Sequence, residues 1–194
     1  MTTATREYIS PAETAALLRA HLKRAFPGAG FRVNTHCYSG GASIRVYWTN
    51  GPTSAAVDKI AQGYKGGGFD GMIDMAYNYR SYLLPDNTMV VAGTSGTENS
   101  AGSVPGWETP MPEGARPVTT TNDFVFTHRN FDVATLEAET KAVCDEFRLP
   151  SADQWVEAIP GEQGVRTARE AANRRLSLRD LPLSRYLPWN KGGT

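Results

Sequence analysis

The run Phe31-Arg32-Val33-Asn34-Thr35-His36-Cys37-Tyr38-Ser39-Gly40-Gly41-Ala42-Ser43-Ile44-Arg45-Val46-Tyr47-Trp48 decides the fold. Phe31 to Cys37 and Ala42 to Trp48 are short segments rich in β-branched and aromatic residues. Tyr38-Ser39-Gly40-Gly41 supplies turn chemistry between them, so the spacing predicts a β-hairpin. Successive side chains on a strand point to opposite faces. Ile44, Val46 and Trp48 therefore share an apolar face, and Ser43, Arg45 and Tyr47 share a polar one. An apolar sheet face has to be covered by another layer.

The cover lies on either side in sequence. Ser10-Pro11-Ala12-Glu13 starts a helix, because Ser10 caps, Pro11 suits the first helical position and Glu13 completes a capping box. Leu17, Leu18, Leu22, Ala25 and Phe26 recur at helical spacing until Pro27-Gly28 stops the helix. After the hairpin, Thr53 caps a second helix with Ala56, Val57 and Ile60 as its stripe, ending near Gly63. A glycine loop follows, Lys65-Gly66-Gly67-Gly68-Phe69-Asp70-Gly71-Met72-Ile73-Asp74, and Met75 to Leu84 reads as a strand. The expected class is α+β: a small, mostly antiparallel sheet with helices packed on one face.

Residues 85–122 are rich in Gly, Ser, Thr and Pro, with only Met89-Val90-Val91 and Trp107 suited to packing. A loop of that length inside a compact domain is usually functional or mobile. Phe124 to Thr127 returns to strand character and is expected to join the first sheet. Asp132 then caps a helix carrying Val133, Leu136, Val143 and Phe147, closed before Pro150. Residues 1–150 are thus expected to form the α+β domain, and residues 151–194 an arginine-rich helical extension with a Pro- and Gly-containing tail.

The chain has 194 residues, 40% hydrophobic and 21% charged, with 20 basic and 20 acidic groups. That balance excludes wholesale disorder, a protein-wide cationic surface for nucleic acid and a polyanionic DNA mimic. Charge is segregated, however: +4 over residues 1–70, −8 over 71–160 and +4 over 161–194. Two distant cysteines, Cys37 and Cys144, make no disulfide scaffold, and no apolar run reaches the ~20 residues of a membrane span. No signal-peptide core stands at the N-terminus, so the cytoplasm is the expected address.

Five groups of residues invite a chemical reading. Three consecutive glycines let a ligand or another chain approach the main chain. Gly66, Gly67 and Gly68, with Lys65 adjacent and Asp70 or Asp74 as carboxylate, could cradle an anion. Against this, the loop follows a helix and carries neither established phosphate-binding pattern; the alternative is a tight connection with Phe69 and Met72 plugged into the core. Ser39, Gly40 and Gly41 present a hydroxyl and backbone N–H groups at the hairpin tip, of most interest if the two glycine segments converge. Tyr77 and Tyr79 share a strand face, and with Arg80, or with Arg32 or Arg45 opposite, they suit base stacking or a protein-binding patch. His21, His36 and His128 show no metal spacing, and neighbours His36 and Cys37 point apart. Arg166, Arg169, Arg174, Arg175 and Arg179 suit phosphates or acidic partners, the chain's own acidic middle included.

The stretch from Tyr8 to Leu84 resembles a large polyvalent protein-associated domain. The resemblance rests on Tyr8-Ile9-Ser10-Pro11-Ala12-Glu13-Thr14-Ala15 with Leu17-Leu18, on Tyr38-Ser39-Gly40-Gly41-Ala42-Ser43-Ile44 with Trp48, and on Gly66-Gly67-Gly68-Phe69-Asp70-Gly71-Met72-Ile73-Asp74. Such domains are embedded in very large proteins of phages and conjugative elements or occur as smaller proteins. The resemblance implies work for a mobile element around DNA entry, countering host defence, and carries no established catalytic residues. The leading expectation is a non-enzymatic accessory protein that binds a protein partner, host defence machinery being the favoured target. Its surface would combine Ser39, Gly40, Gly41, Lys65, Gly66, Gly67, Gly68, Phe69, Asp70, Tyr77, Tyr79, Arg80 and Trp107. The alternatives are a nucleic-acid binder using the tyrosines and the C-terminal arginines, and a small enzyme acting on a phosphorylated or nucleotide substrate through Asp70, Asp74 and Lys65. Neither a cofactor nor a metal nor a membrane is expected to be involved.

Overall fold

The computed structural model describes residues 5–97 and 104–183; the expected tail from residue 184 lies outside them. In chain order the elements are β1 (Glu7–Tyr8), α1 (Pro11–Ala25), β2 (Arg32–Tyr38), β3 (Gly41–Thr49), α2 (Ser54–Ala61), a 3-10 turn (Gln62–Tyr64), β4 (Gly67–Asp70) and β5 (Met75–Leu83). Then come β6 (Met89–Thr94), β7 (Trp107–Glu108), β8 (Arg116–Thr119), β9 (Asn122–Asn130), α3 (Val133–Phe147) and α4 (Ala168–Ser177). The class is α+β. The strands form two sheets where one was expected: β2-β3-β9, and β1-β8-β5-β6-β7 with β4 also on β5.

Two compact units divide the chain. The first takes the described residues of Met1–Pro27 with Phe31–Tyr47 and Ala55–His128; the second takes Gly28–Gly30, Trp48–Ser54 and the described part of Arg129–Thr194. The helix expected to belong with the N-terminal domain, α3, therefore groups with α4 and the C-terminal segment.

In the first unit the capping box forms as the residues dictate. Ser10 Oγ accepts from the Glu13 amide, and the Glu13 carboxylate accepts from the Ser10 amide at 2.9 Å. The Ser10 hydroxyl, donating to that carboxylate at 2.6 Å, and after it the Ser10 amide hold the Glu13 carboxyl below its ordinary range. Leu18 and Leu22 on α1, Val57 and Ala61 on α2, and Ile44 and Val46 on β3 are fully buried. The register Val33↔Val46 and Thr35↔Ile44 confirms the expected hairpin, and β9 joins it at β3. Tyr64, fully buried after α2, is held by His21 Nδ1 at 3.1 Å, and burial pushes its phenol up to about 12.

The glycine segment is a strand and not a cradle. Gly67 to Asp70 pair antiparallel with Met75 to Asn78, joined by a turn in which Asp74 is left-handed (φ 55°). The region expected to be a long loop supplies three further strands. β6 and β8 pair with β5, and β7 extends β6.

The second unit packs α3 on α4. Val143, Ile159, Val165, Ala168, Ala171 and Ala172 form its buried core, with Leu136, Phe147 and Val156 against it. Asp132 caps α3 through the Thr135 amide at 2.7 Å. Asn50, left-handed at φ 54°, reaches the same Asp132 carboxylate at 2.5 Å.

Candidate functional site

β5 organises an open cleft on the first unit. Its register with β6, and that of β6 with β7, sets Tyr79, Thr94 and Trp107 in one row across three strands. The next row reads Arg80, Gly93 and Glu108 and faces the other way. The first row floors an open cleft of about 360 Å³, walled by Gln62, Gly63 and Lys65 after α2, by Tyr77, and by Val91 and Val104. Tyr77 and Tyr79 meet edge to face at 5.6 Å. Burial, then the hydrogen bond and charge of Tyr77, push the Tyr79 phenol up to about 12. Lys65 is half-buried here, with no carboxylate in ion-pair reach among the described residues. The cleft thus offers ring faces, two phenols, one ammonium and an amide: it can stack and donate hydrogen bonds. Its lining contains no carboxylate, imidazole or thiol among the described residues.

Four residues singled out from sequence, Lys65, Tyr77, Tyr79 and Trp107, thus meet in one place. Arg80 does not join them. It points to the opposite face, where it reaches Glu108 at 2.5 Å. A Cβ on Gly93 would stand 2.6 Å from the Trp107 carbonyl oxygen.

Gly66 and Gly67 pack backbone against backbone. Gly66 donates to the Asn122 carbonyl at 2.7 Å and accepts from the Tyr79 amide at 2.8 Å; a Cβ there would meet the Thr120 oxygen at 2.2 Å. A Cβ on Gly67 would meet the Tyr77 carbonyl oxygen at 2.5 Å, and one on Gly68 the Tyr77 ring. On the far side of the same 120–123 stretch, Ala42 donates to the Thr121 carbonyl. Gly41 there leaves room for Asp123, whose carboxylate accepts from Tyr38 at 2.7 Å. The two glycine segments do converge, but with the start of β9 between them. Ser39 and Gly40 stand apart from the cleft at the exposed hairpin tip.

Asp70 has a structural occupation. Its carboxylate is buried, accepting from Thr97 Oγ1 at 2.6 Å, the Val104 amide at 3.2 Å and the Met72 amide at 3.0 Å. The Thr97 bond first, and the amides after it, hold its pKa below the ordinary range. Asp70 thus ties residues 97 and 104 to the hairpin, which removes it from acid–base work. Because its folded pKa is depressed, its contribution to stability is present above the ordinary aspartate value of ~4 and is lost as pH falls through the depressed one. Asp70→Asn, which turns an NH₂ toward donors, is expected to lower the thermal midpoint at pH 7. Scans repeated at progressively lower pH should show the gap between wild type and variant narrowing; a constant gap across pH would refute this assignment.

Phe69 and Met72, read from sequence as core plugs, are instead 59% and 80% exposed, and Met75 is 49% exposed. In a strand pair the interior is decided by which face is covered: residues 97 and 104 cover the tip where Asp70 points, and Phe69, the next residue in the strand, points to the other face. Three large apolar side chains consequently project into solvent on the β4–β5 hairpin, Met75 on the same strand face as Tyr77.

In the second unit the candidate phosphate-binding arginines are turned on the chain's own carboxylates. Arg169 grips Asp153 through two bonds of 2.6 and 3.1 Å, Arg175 bonds Glu146 and Glu162, and Arg174 bonds the Gln163 carbonyl beside Glu162. Arg179 pairs with Glu139 at 2.5 Å, and Arg166 lies over the Trp155 ring. The arginine-rich segment is thus a set of internal clamps, and the nucleic-acid alternative loses most of its C-terminal cations.

Sequence reasoning passed over the outer face of β2-β3-β9. Tyr47 and His128 stack there at 4.9 Å, and Phe124 and Phe126 stack at 5.7 Å, both phenylalanines exposed. The spacing Phe124-x-Phe126-x-His128 was the available signal.

The family described as large polyvalent protein associated domain 29 matches residues 9–131, more than half of the chain, and the chain belongs to that family. The match runs past Leu84 through β6 to β9 and nearly coincides with the first unit. No curated protein and no solved structure matches. Among the described residues no helix is long and apolar enough to cross a membrane.

Proposed function

We propose that this member of the family is a non-enzymatic accessory protein of a phage or conjugative element that acts by binding a protein partner through the β4–β5 hairpin and the cleft beside it. The observation that carries the reading is the exposure of Phe69, Met72 and Met75 on the β4–β5 hairpin, whose strand β5 also brings Tyr77 and Tyr79 to the cleft with Lys65 and Trp107. Solvent-exposed apolar groups of this size, grouped and rimmed by polar ones, mark interaction surfaces. Aromatic side chains around a partly desolvated centre are what interface hot spots are built from. The enzyme alternative has less support, because Asp70 is committed to Thr97 and Gly66 and Gly67 close on backbone. The setting implied by the family makes host defence machinery the first place to look for the partner.

The test is capture from nuclease-treated host lysate with the wild-type protein and with Phe69→Ser/Met72→Ser. Both side chains are exposed, so the variant is expected to fold with an unchanged midpoint. A stoichiometric protein retained by wild type and reduced about tenfold or more by the variant supports the reading. Equal capture by both, or capture of nothing, refutes it.

A further inference from the structure

The outer face of the three-stranded sheet has its own chemistry and shares no residue with the cleft. α1 and α2 cover the inner side, where Ile44, Val46 and Val125 are buried. On the outer side Phe124 and Phe126 are 48% and 42% exposed, their rings 16° from parallel. Tyr47 and His128 stack within 17° of parallel on the same face. The β2–β3 register puts Arg32 opposite Tyr47 and Asn34 opposite Arg45, so two guanidinium groups border the rings.

Among the described residues those two arginines are left unpaired by the chain's own carboxylates. In the same unit Arg24 pairs with Asp86, Arg80 with Glu108 and Arg116 with Glu7, and Arg19 donates to the Val33 carbonyl at 2.6 Å. Among the described residues Arg32 and Arg45 have no ion pair; at the hairpin-tip end of the same face the Asp123 carboxylate, lying over Gly41, accepts from Tyr38. A protein partner of ordinary composition would satisfy the apolar rings and leave the guanidinium groups to chance. The occupant that satisfies both is planar, apolar on its faces and regularly anionic.

We infer that this face binds single-stranded nucleic acid, with bases stacked on Phe124, Phe126 and the Tyr47–His128 pair, and with Arg32 and Arg45 on the phosphates. Base–aromatic stacking tolerates any sequence because every base has a π-face. Guanidinium matches phosphate geometry bidentately and contributes a salt-dependent term. Nothing in the arrangement distinguishes the sugar, so DNA and RNA strands of one sequence should bind alike. A duplex, whose bases are already stacked, should bind far more weakly.

Fluorescence anisotropy of labelled single strands of about 15 nucleotides, as DNA and as RNA, tests this with the full chain. Wild type should bind both, and Phe124→Ala/Phe126→Ala should weaken both by about tenfold or more with an unchanged thermal midpoint. Arg32→Ala/Arg45→Ala should flatten the plot of log affinity against log salt by about 1.4, at ~0.7 per phosphate contact. No binding at ~100 µM protein in ~50 mM salt, equal binding of duplex, or undiminished binding by the phenylalanine variant would overturn the inference. Self-association that the phenylalanine variant abolishes, without oligonucleotide binding, would assign the face to a second copy of the chain and overturn it as well.

Discussion

Gly66→Ala is expected to cost about 3 kcal/mol of stability, whereas Gly68→Ala, two residues on, should leave the fold nearly intact. The difference lies in what each new methyl meets. At Gly66 it would stand 2.2 Å from the Thr120 carbonyl oxygen and 3.2 Å from the Asn122 amide nitrogen. Both belong to main chain that is itself pinned. Thr120 and Asn122 are buried, and Gly66 is hydrogen-bonded on both sides, to Asn122 and to Tyr79. Relief requires moving a strand. Because Gly66 is not left-handed, alanine loses nothing in backbone conformation and gains about 0.4–1 kcal/mol by restricting the unfolded chain. The steric term outweighs that gain, and a midpoint lower by about 8 °C follows for a chain of this size. At Gly68 the methyl meets only the far end of the Tyr77 ring, with Cζ and the hydroxyl at 2.5 Å. That ring can swing aside. Gly68→Ala should therefore unfold within about 3 °C of wild type while Tyr77 leaves the cleft, lowering partner capture. Equal midpoints for the two variants would refute the assignment of Gly66 to strand packing.

What was legible in the sequence was local. The capping box of α1 needs residues three apart, and the β2–β3 hairpin needs two β-forming runs around a glycine turn. The glycine triplet was misread because its reason is remote: Gly66 is small for Thr120, and Gly67 and Gly68 are small for Tyr77. The strands between residues 85 and 122 were missed because each is weak alone. Gly93 interrupts β6, Pro117 sits in β8, and the ladder comes from β5. Each candidate residue of the cleft was visible separately, but its assembly depends on the cross-strand row Tyr79, Thr94, Trp107. Alternation along β5 already turned Arg80 away from Tyr79; only the fold supplied Glu108 as its partner. Phe124 and Phe126 alternate as strand residues should. Their exposure runs against the usual burial of aromatic residues, and no local pattern reveals which face of a strand is left uncovered.

Arg129→Ala is expected to destabilise the second unit by about 3 kcal/mol, with no rescue by Arg129→Lys. The guanidinium gathers carbonyl oxygens from two separate stretches of that unit. It donates to Asn50 at 3.2 Å and Gly51 at 2.7 Å, and to Leu176 at 3.0 Å and Arg179 at 2.9 Å. Leu176 lies in the last turn of α4, where carbonyls have no intrahelical donor and the helix dipole favours a cation. Asn50 and Gly51 are both left-handed, at φ 54° and 61°, in a turn paired through one isolated bridge to Leu183, with the Leu181 amide on the Gly51 carbonyl. One planar group thus closes a helix end and a turn together, while its own charge sits over the Phe131 ring at 5.1 Å. Removing it takes a donor from those four carbonyl oxygens, of which Gly51 keeps the Leu181 amide at 2.9 Å, at about 1–3 kcal/mol for each acceptor left without a partner and out of reach of water. Lysine keeps the charge but has three donors on one nitrogen in place of a planar fork, so it cannot span both stretches. Chemical denaturation of the two variants and of Arg148→Ala, an arginine with no ion pair among the described residues, measures this. Arg129→Ala and Arg129→Lys should fall together well below wild type, with Arg148→Ala close to it. Full stability in Arg129→Lys would mean that the charge alone suffices and that the fork does not matter.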